Sequence, residues 1–162
     1  MSVVLYPRVG PRWQNEAKHL IKKLRDKGDY KPLLGPACGH TRDHLDLVTR
    51  LFDFRKRDFL IRVTLNRQTM VRFLLALMDE PSISLWGPSS SYRSCAYQSE
   101  LFERYLRGDG GLTAPPGKSW HQTGRSLDAY YATEDERDAL LDKGFFDLLP
   151  ADPPHFTYGQ RG

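Results

Sequence analysis

The sequence predicts an α+β domain: a small antiparallel sheet with flanking helices. Three observations predict it. Helical and strand-like patterns are mixed along the 162 residues without a repeating βαβ rhythm. The strand candidates are short and bounded by Gly, Pro and Ser clusters. The helix candidates each carry one apolar face, and some open at a side chain able to cap them.

Taken in order, residues 14–27 place Ala17, Leu20, Ile21 and Leu24 at helical spacing, with lysines opposite and Gly28 as a stop. His19 falls among the lysines and is expected to face solvent. Residues 29–43, with Pro32, Gly35, Pro36 and Gly39, read as loop. Residues 44–54 set Leu45, Val48, Leu51 and Phe52 on one face, a second short helix. Arg55-Lys56-Arg57 reads as a solvated turn. Phe59 to Leu65 is compact and β-branched, a strand.

Asn66 is placed to cap a helix over 67–79 whose apolar face is Met70, Phe73, Leu74, Leu77 and Met78, and Pro81 ends it. Ile83-Ser84-Leu85-Trp86 alternates like a strand and runs into a polar loop. The next helix, about 96–107, is expected to turn Leu101, Tyr105 and Leu106 inward. Gly108 to Gly117 is loop, and Arg125 to Tyr131 a strand. Thr133 caps a helix with Glu134, Asp135 and Glu136 in its first turn, where the helix dipole favours acids. Gly144 stops it, Phe145-Phe146 fills the core, and His155 to Tyr158 forms a last short strand.

Apolar residues make up 40% of the chain and charged residues 27%, a balance that excludes general disorder, collagen and coiled coil. A chain this long buries roughly 70% of its unfolded surface, enough to fold without metal or disulfide. Cys38 and Cys95 form no CxxC pair and read as free thiols, with one distant pair as the alternative. Cys95, with no His nearby in sequence, reads as a small buried hydrophobe rather than a nucleophile. The longest apolar run, Phe73 to Met78, is far short of the ~20 residues that span a bilayer, so no membrane insertion is expected. The first residues lack the basic-then-apolar pattern of a secretory signal. Charge is uneven: residues 1–80 carry +7 and residues 81–162 carry −3. A basic half can face a polyanion, but no nucleic-acid-binding signature accompanies it, and no nucleic-acid partner is expected.

Chemistry is sought first among the histidines. His40 and His44 are spaced i, i+4, but Gly39 precedes them and no third ligand is near, so they read as a surface pair. His121 sits on a turn that Gly124 can reverse, before a strand that presents Asp128. His155 follows Asp152-Pro153-Pro154. Two His and one Asp make a three-ligand set with one position open, the design of a catalytic zinc site. Asp152 is placed to stand beside a reacting water as a base. Such spacing also arises by chance, and two satisfied loop histidines remain the competing account.

The motifs Ser90-x-Tyr92-Arg93-Ser94 with Gln98, Ser119-x-His121-x-x-Gly124-x-Ser126-x-Asp128, and Asp152-x-x-His155 occur in that order. In this the chain resembles the VanY-type zinc peptidases, the D-Ala-D-Ala carboxypeptidases and L-Ala-D-Glu endopeptidases of bacterial and phage origin. The resemblance covers about residues 67–159. It implies a hedgehog/DD-peptidase-like zinc peptidase core over residues 67–162. Residues 1–66 are then a basic segment packing on or docking that core. It implies Zn2+ held by His121, Asp128 and His155, with Asp152 as general base. Arg93 is implied to hold a substrate carbonyl or carboxylate, and Gln98, Ser119 and Tyr92 to line the substrate site.

The chain departs from the family pattern in places. Ser126 replaces the usual Ala, Pro154 stands where Trp is common, and the base is Asp rather than Glu. The interval between Asp128 and His155 is short, so an open cleft without a lid is expected.

The implied substrate is an amide bond in the peptidoglycan peptide stem. Without a visible signal, the chain is expected to be made in the bacterial cytoplasm. It would reach the wall as a phage lysis enzyme or as a virion component with tail-protein partners. A second reading is a virion structural or cell-wall-binding subunit that retains the fold with incidental or no catalysis.

Overall fold

The computed structural model describes strand residues 4–5, 53–56 and 59–62, helical positions 15, 17–19 and 21–22, and residues 63, 65–86, 90–148 and 151–159. Strands β1 (Val4–Leu5), β2 (Asp53–Lys56) and β3 (Phe59–Arg62) form one sheet, β1 parallel to β2 and β2 antiparallel to β3. This corrects two expectations. Asp53 and Phe54 end no helix, and Arg55 and Lys56 are strand rather than turn. Only two residues separate β2 from β3, so a hairpin closes locally and claims them. The rest of the helix expected over 44–54, and His40 and His44, lie outside the described residues.

Helix α1 (Arg67–Asp79) begins where Asn66 Oδ1 accepts from Thr69 N at 2.9 Å. Its inner face buries Met70, Phe73, Leu74 and Leu77, each worth ~1.5–3 kcal/mol relative to exposure. Ala17 and Ile21 belong to the same hydrophobic cluster, while Lys18, His19 and Lys22 are exposed, as an amphipathic helix requires.

The other sheet carries the site. It is built from β4 (Ser126–Asp128), β5 (Phe145–Leu148) and β6 (Asp152–Tyr158), all antiparallel, with β6 in the middle. The register sets Ser126 opposite Thr157, Leu127 opposite Phe156, and Asp128 opposite His155. Leu127 and Phe156 are fully buried in the core under this sheet. Because side chains alternate along a strand, Asp128 and His155 leave by the other face. The stretch Ile83 to Trp86 pairs through one bridge only, Leu85 to Ala129, so the predicted strands there are shorter than their patterns suggest.

Helix α2 (Cys95–Leu106) is capped by Ser94 and lies on the surface. Gln98 is its only buried residue and Leu101 is half-buried. Tyr105 and Leu106 are exposed, against expectation, because no described residue covers them enough to bury them. Cys95 is half-buried and disulfide-bonded, which corrects its reading as a free, buried thiol; the only other cysteine in the sequence is Cys38. Helix α3 (Glu134–Asp142) starts at Thr133, whose side chain accepts from Glu136 N, and carries three acids in its first turn. It packs against α1 and β5. Gly144 then turns the chain at φ 96°, where a Cβ would sit 3.0 Å from the Tyr158 ring. Among the described residues no helix is long and apolar enough to cross a membrane.

Candidate active site

His121 rides on a 3-10 turn, Trp120–Thr123, between a side-chain cap and a left-handed glycine. Ser119 Oγ accepts from His121 N at 3.3 Å, and Gly124 at φ 73° redirects the chain into β4. The turn is tied to its surroundings. Asn66 N donates to Gly124 O, Gly117 N to Gln122 Oε1, and Arg93 N to His121 O. Asp128 N donates to Ser90 O at 2.7 Å, so the segment bearing Arg93 is strapped across both β4 and the turn.

These ties bring His121, Asp128 and His155 together, with one ligand atom from each lying within 4.8 Å of the other two. His121 Nε2 stands 3.2 Å from Asp128 Oδ1, and His155 Nδ1 stands 3.6 Å from the same oxygen. The two rings meet edge to face with centroids 5.0 Å apart. The other carboxylate oxygen, Oδ2, accepts from Arg93 Nη2 at 2.8 Å.

The outward nitrogens have their own partners. His121 Nδ1 lies 2.8 Å from the Ser91 carbonyl. A carbonyl only accepts, so Nδ1 carries the proton and Nε2 of the neutral ring presents a lone pair. His155 Nε2 lies 2.6 Å from Thr157 Oγ1, which is 2.7 Å from Ser126 Oγ.

Electrostatics agree with a neutral His121. Burial pushes this imidazole below its ordinary value, more than the Asp128 carboxylate raises it. Burial alone would push the Asp128 carboxyl up, but its hydrogen bonds with His121 and His155 and the Arg93 charge outweigh that and hold it well below the usual carboxylate range. With Nδ1 committed to the Ser91 carbonyl, the contact with Asp128 needs a second ring proton on Nε2, which burial disfavours, or a cation in its place. A shared cation resolves that conflict. Ligands ~2.0–2.2 Å from one ion in a tetrahedron stand about 3.4 Å apart, which matches the 3.2 and 3.6 Å separations. The donor set fits zinc, whose usual ligands include His nitrogen and Asp oxygen.

The group opens into a cleft of about 320 Å³. Arg93, Gln98, Ser119 and Asp152 all line it; Tyr92, next to Arg93 in the chain, is half-buried and is not among the lining residues. From the lining Arg93 reaches Asp128 in a charge-assisted hydrogen bond. Asp152 Oδ2 stands 3.9 Å from His155 Nδ1, on a side chain half exposed to solvent. Trp120 also lines the cleft, with the Arg125 guanidinium over its ring at 5.0 Å. Three contributors are not visible from motif reading, the Ser91 carbonyl, Thr157 and Lys118 in the cleft wall, and the motif that contains Ser126 does not show that its hydroxyl meets Thr157. The presence of Ser at 126 and Thr at 157, opposite each other once β4 and β6 are paired, is the signal that could have found the hydroxyl pair.

A His-Asp-His group drawn from a strand pair and a 3-10 turn thus shares one cleft with an acid at its rim and an arginine. The family model for VanY, D-alanyl-D-alanine carboxypeptidase, matches residues 62–156, more than half of the chain and every candidate site residue. The chain belongs to this family of peptidases that act on peptidoglycan. No curated protein matches it significantly.

Proposed function

We propose that this chain is a zinc-dependent peptidase that hydrolyses an amide bond in the peptide stem of bacterial peptidoglycan. One observation carries the proposal. The Asp128 carboxylate faces the imidazoles of His121 and His155, each braced from behind, at separations suited to one shared ion. His121 Nε2, Asp128 Oδ1 and His155 Nδ1 would hold that ion.

Zinc, when bound, supplies a Lewis acid that polarises a carbonyl and lowers the pKa of water toward ~7. The chain's own residues do the rest. Asp152, at the rim, takes the proton of the attacking water and delivers it to the leaving amine. Arg93, permanently charged and lining the same cleft, orients the scissile carbonyl and stabilises the charge developing on its oxygen. The 3-10 turn capped by Ser119 keeps His121 fixed while substrate enters.

The disulfide at Cys95 supports action outside a reducing cytoplasm. The +7 charge of residues 1–80 supports contact with anionic wall polymers, and we assign residues 1–66 to packing on or docking the core. We place the enzyme in a phage setting, in lysis or as a virion component; mass spectrometry of purified particles tests the second. A purely structural or wall-binding role has no use for Arg93, Asp152 and the triad in one cleft, so the enzyme reading is preferred.

The test is digestion of purified peptidoglycan with and without chelator, read by mass spectrometry. New fragments should vanish with chelator and return with zinc. Intact wall in the presence of zinc-loaded protein would turn the assignment toward docking.

A further inference from the structure

Asp152 and His155 are three residues apart on β6. On a regular strand that spacing is ~10 Å, and the two side chains leave by opposite faces. Here Asp152 Oδ2 stands 3.9 Å from His155 Nδ1, and both residues line the cleft. The register accounts for this. Asp147 of β5 pairs with Phe156, but the next residue, Leu148, pairs with Asp152. Pro153, Pro154 and His155 therefore bulge out between two consecutive rungs of the ladder. A bulge beside a site re-aims a side chain, and this one turns Asp152 back toward the His-Asp-His group.

The ladder cannot hold this bulge by itself. Pro153 and Pro154 have no N–H to donate, so only their carbonyls can be tied. Pro154 O accepts from Ala129 N, just past β4, at 2.8 Å. Pro153 O accepts from a side chain, Arg137 Nη2 of α3, at 3.2 Å. The same guanidinium sends Nη1 to Asp147 Oδ2 at 2.8 Å and lies over the Phe156 ring, 5.0 Å from its centroid. Asp147 and Phe156 form the rung next to the bulge. Arg137 thus grips both strands where the ladder breaks, and its planar fork suits two acceptors at once. Its own backbone is fixed, since Arg137 N donates to Thr133 O at 2.9 Å in the first turn of α3.

We infer that Arg137 is a positioning residue: it clamps the β5–β6 bulge and so aims Asp152 at the metal group. Arg137 is not among the residues that line the cleft, so it acts through Asp152 and not on substrate. This role rests on the reading of Asp152 as general base and adds what holds that base in place.

The experiment compares the full chain, zinc-loaded, with Arg137→Met and Arg137→Lys. Met keeps an unbranched stem beside Phe156 and removes both hydrogen bonds. Lys keeps the stem and the charge but puts one nitrogen in place of the fork. Kinetics are measured on a soluble stem pentapeptide that contains both an L-Ala-D-Glu and a D-Ala-D-Ala bond. Crystal structures of parent and variants give the position of Asp152. In Arg137→Met, kcat should fall ~10–100-fold, the scale of a displacement of about 1 Å at a reacting group. KM and zinc stoichiometry should stay at parent values, and Asp152 should move away from His155. Arg137→Lys should recover part of the loss. A merely structural arginine would lower the melting temperature of both variants but leave kcat and Asp152 unchanged, and that result overturns the clamp. Loss of zinc or a raised KM in a folded variant also overturns it, because the arginine would then support the whole site. If Arg137→Met does not fold, Arg137→Lys decides by the same two readouts. A displaced Asp152 in variants of a parent that cleaves no stem peptide overturns the peptidase reading alone. Cleavage by the parent, with kcat and Asp152 unchanged in the variants, overturns the clamp alone.

Discussion

Thr157 Oγ1 stands 2.6 Å from His155 Nε2, and the same hydroxyl lies 2.7 Å from Ser126 Oγ, both hydroxyl residues being fully buried. With His155 Nδ1 toward the ligand group, Nε2–H donates to Thr157, which can pass its own proton to Ser126. Such outer partners fix the ring and the tautomer of a ligating histidine. Thr157→Val keeps the shape and removes the hydroxyl. Zinc affinity should fall ~10–100-fold, measured by competition with a chromophoric chelator. Ser126→Ala leaves the bond to His155 in place and should change affinity far less. Equal zinc affinity in Thr157→Val and the parent chain would remove the bracing role.

Acid should destabilise the metal-free protein in two stages. His121 is buried neutral with its folded value depressed, so below about 6.5, the ordinary imidazole value, the unfolded chain takes up a proton that the folded chain resists. Stability therefore begins to fall as pH drops through that value. The Asp128 carboxyl is also depressed in the folded state. Its contribution is complete above the ordinary carboxylate value of 3.8 and is lost as pH falls below it toward the depressed one. Urea midpoints of chelator-treated protein from pH 8 to 3 measure both stages. A midpoint flat between pH 7 and 5 would rule out His121 as a buried neutral group.

Asn66 links the helix cap to the site without touching it. Its side chain caps α1, and its backbone N–H donates to Gly124 O at 2.9 Å, just behind the His121 turn. Asn66→Ala removes only the cap. It should cost about 1 kcal/mol, or a melting shift of ~2–4 °C for a chain of this size. Zinc stoichiometry should stay at the parent value; zinc loss would mean that the cap side chain also supports the turn.

Features set by a few neighbouring residues were legible in the sequence. Asn66, Thr133 and Gly144 mark helix ends by local hydrogen bonds or backbone freedom, and they end helices in the structure. The convergence of His121, Asp128 and His155 was legible through motif order, and the β4–β6 register accounts for half of it. What depends on distant packing was not. The periodicity of α2 shows a face but not whether anything covers it, so Tyr105 and Leu106 were turned inward in error. The Ser91 carbonyl behind His121 belongs to a residue thirty positions away, and no side-chain pattern announces a backbone acceptor. The bonded state of Cys95 likewise has no local signal.

Asp152 decides whether the cleft is a catalyst or only a metal site. It opens β6 just before two prolines, which restrict the backbone between it and His155. Its Oδ2 lies 3.9 Å from His155 Nδ1, yet it stands outside the group of three convergent ligands and is half exposed. That position suits a group that exchanges protons with water rather than one that binds the ion. Asp152→Asn keeps the size and removes the base. Zinc should remain stoichiometric and KM should change little, while kcat falls by ~10²–10⁴. Loss of zinc in this variant would make Asp152 a ligand. Undiminished turnover with zinc in place would move the base elsewhere in the cleft, and among the described acids lining it only the candidate ligand Asp128 remains.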